Sequence, residues 1–298
     1  MNRKQFREQD VSAPQSHGQR LEWGGIAIFL ALIVLPLLAQ SETDFRVELT
    51  KDNAGVVITK YIGTGRNVLI PDEIQSLPVL ELGQTSFRDN WSVTNVVIPI
   101  GVTAIPRNAF RACSSLISVI IPEGIQSIGY AAFYRCTHLT SVTFPDSLTN
   151  IGDYAFRDTA LSTIAFPPDP NIFHEKYFGA GAFENCKNLR SVTILEGVTH
   201  LPAALFYGCT GLTNVSLPSS IQAIGKACFQ GCTALTTVAI PGTVTAISFS
   251  QDKDSQPASV DDDAKPWAYT GDAFAGCTRL PLANRAILNK LGYTGVFN

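Results

Sequence analysis

Phenylalanine recurs along this chain at a nearly constant interval, and this regularity constrains the fold more than any other feature. The residue stands at positions 87, 110, 133, 156, 183, 206, 229 and 274. Five of the seven steps are 23 residues long, and the other two, 27 and 45, exceed that step by 4 and 22 residues, as insertions into one unit would. A fixed period of this length is typical of repeat proteins, in which each unit stacks on its neighbours.

The other positions of the unit repeat in phase with the phenylalanine. An apolar residue stands five places before it, a small residue or proline comes next, and alanine usually directly precedes the phenylalanine. A leucine, a Val-x-Ile triplet and usually a proline complete the unit, as in Leu116, Val119, Ile121 and Pro122. Three places after the phenylalanine, six units carry a cysteine: Cys113, Cys136, Cys186, Cys209, Cys232 and Cys277.

The stretch Leu-x-x-Val-x-Ile ends in strict alternation, which predicts a short strand with one buried face. The stretch Ile-Gly-x-x-Ala-Phe-x-x-Cys is predicted to return across the other side as a turn or short helix. Each unit has about six inward apolar side chains worth roughly 1.5–3 kcal/mol each, whereas ordering its residues costs about 1.5 kcal/mol apiece. A single unit therefore cannot fold alone, and stacking predicts a solenoid with one parallel sheet, its strands about 4.8 Å apart.

The unit Leu-x-x-Val-x-Ile-Pro-x-x-Ile-x-x-Ile-Gly-x-x-Ala-Phe-x-x-Cys resembles the BspA-type, or Treponema pallidum-type, leucine-rich repeat. The resemblance covers about residues 66–281, in seven or eight units. It implies a right-handed coil and a place among bacterial surface and secreted proteins and some protist surface proteins, which are associated with adhesion to host proteins and other cells. Three departures occur: Thr159 replaces a cysteine, and Leu205 and Cys228 replace alanines. The two changes from alanine to a larger residue imply local repacking.

Both ends of a solenoid need a cap over the exposed core. Residues 41–65 are predicted to form an N-terminal β-hairpin cap, because alternating segments flank the turn at 52–55. Residues 282–298 are predicted to form a helical C-terminal cap, with Gly292 as its stop and Tyr293 and Phe297 packed beyond it. Two insertions interrupt the repeats, near 168–177 and 249–270. The second carries Asp252, Asp254, Asp261, Asp262 and Asp263.

Residues 1–40 are predicted to direct export. Arg3, Lys4 and Arg7 precede an apolar run from Ile26 to Ala39, which has 14 residues. This is shorter than the roughly 20 residues that a membrane-spanning helix needs, so the run fits a signal peptide of about residues 1–39. The long basic leader keeps an uncleaved signal anchor as the alternative. In either case membrane contact is expected only through this segment.

Composition and motifs argue against several classes of function. The net charge is −3 with no basic stripe, so no nucleic acid partner is expected. The in-phase cysteines are expected to be structural thiols, with disulfides or a metal site as alternatives in an exported protein. The acidic insertion lacks the EF-hand pattern for calcium. No hydrolase or zinc-protease motif surrounds His17, His138, His174 or His200. We therefore expect no enzymatic activity, no cofactor and no metal.

The outward face of the strands is the candidate binding surface. Because Val119 and Ile121 are predicted to point into the core, the residues that alternate with them point outward. This face is rich in hydroxyls and nearly without charge. Generic sheet solubility accounts for such a face, and the functional alternative is a docking surface for an extended extracellular protein or a glycan. The candidate residues are Ser118, Ser141, Thr143, Thr163, Ser191, Thr193, Asn214, Ser216 and Thr237.

These features together predict a secreted or cell-surface leucine-rich-repeat protein that mediates protein–protein interaction, including adhesion to host or neighbouring cells. Two alternatives stay open. One is a structural envelope protein without a soluble ligand, and the other is an enzyme whose site lies in the two insertions.

Overall fold

The computed structural model describes residues 40–164, 166, 178–249, 272–293 and 295–297. Three predicted segments lie outside the described residues: the signal segment, the first insertion at 168–177, and residues 250–270 of the second insertion, which contain its five aspartates. The described repeats form a β-solenoid with parallel ladders, which confirms the predicted fold class. The domain boundaries drawn from the sequence stay predictions.

The main sheet takes one three-residue strand from each of its turns. In every strand a buried valine lies between two outward residues, as strict alternation requires. Within each half of this sheet, every strand pairs in parallel with its equivalent in the neighbouring turn, so that Val119 lies opposite Val142. Among the described residues these strands are β3 (Asn67–Leu69), β6 (Asn95–Val97), β8 (Ser118–Ile120), β10 (Ser141–Thr143), β12 (Ser191–Thr193), β14 (Asn214–Ser216) and β16 (Thr237–Ala239).

Residues 162 and 163 join the two halves of this sheet. The Ser162 N–H donates to the Thr140 carbonyl at 3.2 Å, and Thr163 forms a parallel bridge with Ser191. The ladder therefore runs along one face from β3 to β16, across the turn that precedes the first insertion.

A second parallel ladder, which the sequence analysis did not foresee, lies directly before the segments for which a turn or short helix was predicted. The residues just before each small residue or proline pair with the next turn, as Ile105 does with Ile128. Their N–H groups bond to the neighbouring turn, which leaves none for an intrasegment helix. The strands are β7 (Ala104–Ile105), β9 (Ser127–Ile128), β11 (Asn150–Ile151), β13 (His200–Leu201), β15 (Ala223–Gly225) and β17 (Ala246–Phe249).

The segments around each phenylalanine are stacked turns. From Phe110 to Phe229, the residues two places before and two places after the ring have positive φ, such as Ala131 at 51° and Arg135 at 59° around Phe133. The Phe133 N–H donates to the Ala155 carbonyl of the next turn at 2.8 Å. Because left-handed residues interrupt a helix, these segments satisfy their backbone between turns instead of within themselves.

The phenylalanines form one stacked column through the core. From Phe87 to Phe274, neighbouring ring centroids lie 4.9–5.8 Å apart and the rings are nearly parallel. Tyr61 stacks on Phe87 at 5.3 Å, and Tyr293 meets Phe274 edge-on at 6.1 Å. Aromatic pairs at these distances add to the burial of apolar area, so the column links every turn to both ends.

The repeat cysteines lie beside this column as buried free thiols. Each thiol donates to the phenylalanine carbonyl of the preceding turn, as Cys209 Sγ does to Phe183 at 3.2 Å. Thr159, in the cysteine position of its turn, donates instead to the Phe156 carbonyl of the same turn at 2.8 Å. Burial raises the pKa of the Cys209 thiol and therefore favours the neutral form. These geometries agree with structural thiols.

Both predicted caps are present. At the N-terminus, β1 (Phe45–Leu49) and β2 (Val56–Tyr61) form an antiparallel hairpin. The second strand then pairs in parallel with β5 (Leu77–Leu82), whose other partner is the short antiparallel strand β4 (Glu73–Ile74). At the C-terminus, helix α1 (Leu282–Lys290) covers the last turn, where the Asn284 side-chain amide donates to the Val238 carbonyl of β16. This bond occupies an acceptor on an open strand edge.

Candidate binding surface

The structure places all nine candidate residues on the outward face of the main sheet. Parallel pairing sets them in two rows along the solenoid, with one residue per turn in each row. The first row contains Ser118, Ser141, Thr163, Ser191, Asn214 and Thr237, and the second contains Thr143, Thr193 and Ser216. Ser118 and Ser141 are half-buried, and the other seven are exposed.

Most of the hydroxyls in these rows are available to a ligand. The hydroxyls of Ser141, Thr143, Ser191, Thr193 and Ser216 make no hydrogen bond to any described residue. Threonines directly before the strands differ in that their hydroxyls are already hydrogen-bonded. For example, Thr213 Oγ1 donates to the Arg190 carbonyl at 2.9 Å. A surface hydroxyl can both donate and accept, so the rows present an uncharged polar surface.

Two asparagines extend the first row toward the N-terminus and were missed in the sequence. Asn95 Nδ2 donates to Asn67 Oδ1 at 2.6 Å, and Ser118 Oγ donates to Asn95 Oδ1 at 2.7 Å. The repeat pattern could have identified both asparagines, because each directly precedes the buried valine of a strand. The preceding turn has Asn90 and Val93 in place of cysteine and leucine, which hides the repeat there.

At the N-terminal end of the sheet, the second row consists of apolar residues instead of hydroxyl-bearing ones. Leu69, Val97 and Ile120 lie in register with one another, and Ile120 then pairs with Thr143. All three apolar side chains are half-buried, so part of each faces solvent. The surface is therefore divided, with an apolar row at the N-terminal end and hydroxyl groups toward the C-terminal end.

Large exposed apolar residues flank this apolar end. Trp91 is 70% exposed in the turn that enters β6, and Ile100 is 75% exposed in the turn that leaves it. Ile117, directly before β8, is 46% exposed. Exposed apolar side chains grouped together mark interaction sites more often than scattered ones do, and tryptophan is enriched among residues that dominate binding.

The described residues show no constellation for metal binding. No group of three or more His, Cys, Asp or Glu side chains among them could hold a metal ion. His138 and His200 lie on different faces, in the turn before β10 and in β13, and His17 and His174 are outside the described residues. Within the described part of the chain, no helix is long and apolar enough to cross a membrane.

Several proteins of known structure are similar to this chain. A Treponema pallidum leucine-rich-repeat protein of known structure is 26% identical, with a TM-score of 0.59, and the match covers 87% of this chain and 99% of that one. A leucine-rich cell-surface protein from Faecalibacterium prausnitzii is 22% identical, with a TM-score of 0.35 and coverage of 82% and 87%. A leucine-rich-repeat protein from Eubacterium ventriosum is 19% identical, with a TM-score of 0.47 and coverage of 74% and 55%.

No curated protein matches this chain. The family model for the BspA-type leucine-rich-repeat region matches residues 80–180 and 173–281, with six copies of the repeat. These ranges cover more than half of the 298 residues. The chain belongs to the BspA-type leucine-rich-repeat family.

Proposed function

We propose that this protein is secreted or displayed at the cell surface and binds another protein through the outward face of its main sheet. The observation that carries the proposal is the juxtaposition of unbonded hydroxyls with an apolar row and the exposed Trp91. An apolar anchor beside a hydrogen-bonding rim is the usual anatomy of a protein interface. Export is supported by the basic leader and apolar run of residues 1–39.

A protein partner fits this surface better than a glycan. The apolar row and the isoleucines at 100 and 117 would bury carbon against carbon, and the hydrophobic effect rewards that contact. The hydroxyl end would then set orientation through hydrogen bonds. Adhesion to host matrix or serum proteins is the corresponding biological role, and residues 41–298 used as bait in a pull-down from those mixtures would identify the partner.

Replacing Thr143, Ser191 and Ser216 with lysine tests the surface directly. We expect binding of the captured partner to be lost, because three buried ammonium groups would lack partners at the interface. Thermal stability should change little, since exposed substitutions usually cost no more than about 0.5 kcal/mol each. Surface plasmon resonance and thermal denaturation would measure the two quantities.

The matched control carries three lysines at the entrance of the second ladder, at Gln126, Asn150 and Gln222, which are also exposed. Asn150 begins β11, and the two glutamines directly precede β9 and β15. This variant should bind as wild type does. If the main-sheet variant binds equally well, the partner docks elsewhere and the hydroxyl rows serve only to solvate the sheet.

Two further possibilities are separated by simple measurements. We propose no catalytic activity, and turnover in a hydrolase screen that is abolished by deleting either insertion would establish the enzyme instead. If the protein is purely structural, its purified exported part should not bind host cells. The proposed function requires that it does.

A further inference from the structure

Strand β1 leaves one edge of the N-terminal cap open. It ends the sheet with strand order β1-β2-β5-β4, so among the described residues only β2 pairs with it. The end strands of the main sheet differ, because side-chain amides occupy carbonyls on their open edges. Gln40 Nε2 donates to the Asn67 carbonyl of β3 at 3.0 Å, and Asn284 donates to the Val238 carbonyl of β16. An edge without such a block is a template for pairing with a strand of another chain.

The backbone of β1 directs its odd-numbered residues away from β2. The Asp44 carbonyl accepts the Ile62 N–H at 2.8 Å, and Thr50 closes the hairpin from the same side. Because successive residues of a strand direct their backbone groups to opposite sides, the N–H and carbonyl groups of Val47 and Leu49 face the side on which no described strand lies. Leu49 is also 56% exposed, so the edge presents an apolar side chain beside these groups.

The side chains of Arg46 and Glu48 make this edge complementary to itself. Both are exposed, and both lie on the same face of β1 because they are two residues apart. Arg46 lies opposite Lys60 of β2, and among the described residues no carboxylate forms an ion pair with it. Charges on an edge usually discourage pairing, but an antiparallel copy of β1 would supply a carboxylate for Arg46 and a guanidinium for Glu48.

We propose that two copies of this chain pair through β1 in antiparallel orientation, with Val47 opposite Val47 of the partner subunit. In this register Arg46 faces Glu48 of the partner subunit, and the two-fold axis repeats that pair on the other side. Leu49 then lies opposite the partner's Phe45. Opposite charges and apolar side chains at directly opposite positions both stabilise antiparallel strands.

Charge also selects this register over its neighbours. Since only the odd-numbered residues have outward backbone groups, one strand can slide along the other only in steps of two residues. One step would place Arg46 opposite Arg46 of the partner subunit, and one step the other way would do the same to Glu48. Like charges directly opposite each other are destabilising. The order Arg-Val-Glu therefore fits a second copy in one register.

Charge reversal tests the proposal on the full chain, kept in detergent because of the apolar run at residues 26–39. Arg46→Glu alone and Glu48→Arg alone should each raise the dimer dissociation constant at least about tenfold, because like charges then face each other twice. An equimolar mixture of the two variants should dimerise as wild type does, since each acidic copy then pairs with a basic one. Sedimentation velocity over a concentration series measures the association.

Cysteine cross-linking tests the register. Copies with Arg46→Cys mixed with copies with Glu48→Cys should form an intersubunit disulfide when oxidised glutathione is added. Directly opposite residues that are not hydrogen-bonded have Cα atoms about 4.5 Å apart, which a disulfide spans. Either variant alone should cross-link far less, because diagonal positions lie about 7–8 Å apart. The seven native cysteines are buried and should not compete.

Two controls should dimerise as wild type does. Lys187→Glu reverses an exposed charge on a distant turn, and the triple lysine variant of the main sheet leaves β1 intact, so this proposal and the proposed function fail independently. At a concentration where the protein is monomeric, the β1 variants should melt close to wild type, because neither Arg46 nor Glu48 forms a side-chain bond to a described residue of its own copy.

Three results would each overturn the proposal. The first is a wild-type chain that stays monomeric throughout the concentration series, which would leave the edge to a strand of a different protein. The second is a pair of single charge variants that dimerise normally or whose mixture does not recover. The third is cross-linking of either cysteine variant alone as fast as that of the mixture.

Discussion

At the residue scale, equivalent positions in the turns share one backbone conformation, although the sequence places different residues there. The second residue after each phenylalanine is left-handed in turn after turn. It is Ala112 (φ 58°) after Phe110 and Gly231 (φ 77°) after Phe229. Only glycine adopts this conformation without cost, and the other residues pay about 1–2 kcal/mol.

Exchanging alanine and glycine at these two equivalent positions should have opposite effects. Ala112→Gly is expected to raise the free energy of unfolding by up to about 1 kcal/mol, and Gly231→Ala to lower it by about 1 kcal/mol or more. The pair isolates backbone strain, because a Cβ at Gly231 would contact nothing closer than 3.6 Å. Urea denaturation monitored by circular dichroism measures the free energy of unfolding of both variants. A loss of stability in Ala112→Gly would contradict the conclusion that Ala112 is strained by its left-handed conformation.

At the element scale, the turns that leave the main sheet are fastened to one another by side chains. The Glu196 carboxylate accepts the Ser219 N–H at 2.8 Å and the Ser220 N–H at 3.3 Å. Ser220 Oγ accepts the Gly197 N–H and donates to the Val198 carbonyl, both at 2.9 Å. Glu123 and Ser147 make the same contacts between two earlier turns. This clamp was not foreseen from the sequence, because its partners belong to different units.

Acid should weaken the Glu196 clamp. Hydrogen bonds from Ser219 lower the pKa of this carboxyl below its ordinary value. A lowered folded-state pKa contributes stability above the unfolded value of about 4.3, and that contribution is lost as the pH falls through the folded-state pKa. Glu196→Gln should therefore reduce the melting temperature at pH 7, and the difference from wild type should narrow below pH ~4.

The control for this prediction is Glu48→Gln on β1, which removes one charge from an exposed strand position without removing a bond between turns. Its melting temperature should follow that of wild type across the same pH range. A difference for Glu196→Gln that stays constant from pH 7 to pH 3 would show that the carboxylate charge does not matter to the clamp.

At the scale of the whole molecule, each turn contacts its neighbours, so stability is transmitted along one dimension. Helix α1 closes the C-terminal end, with Leu288 fully buried and Leu282 81% exposed. Losing the cap should therefore expose the last turns first and leave distant turns protected.

Leu288→Ala is expected to weaken the cap by about 2–5 kcal/mol, as a truncated core leucine does. Amide hydrogen exchange should accelerate in β16 while β8 keeps its protection. Leu282→Ala, in the same helix, should change neither strand, because its side chain is largely exposed. Uniform loss of protection along the solenoid after Leu288→Ala would show instead that the repeats unfold as one cooperative unit.

The repeat in the sequence determines the architecture by itself. The 23-residue phenylalanine period required stacking, and the Val-x-Ile alternation required a strand with one buried and one outward face. Such periodic patterns are local, so they can be recognised within one unit. The hairpin and the C-terminal helix followed for the same reason, because a turn signal and an apolar spacing are also short-range features.

Tertiary structure decided what depends on contacts between units. The second ladder forms because residues such as Ile105 and Ile128 pair across neighbouring turns. No pattern within one unit distinguishes a segment that pairs in this way from a local turn. Likewise, the outward face is divided because Leu69, Val97 and Ile120 are brought into one register from three different units. In the same way, the ring of Tyr134 is contacted by arginines from three turns, Arg111, Arg135 and Arg157. Stacking places residues about 23 positions apart within a few ångströms, and only the folded chain determines which of those neighbours combine into a surface.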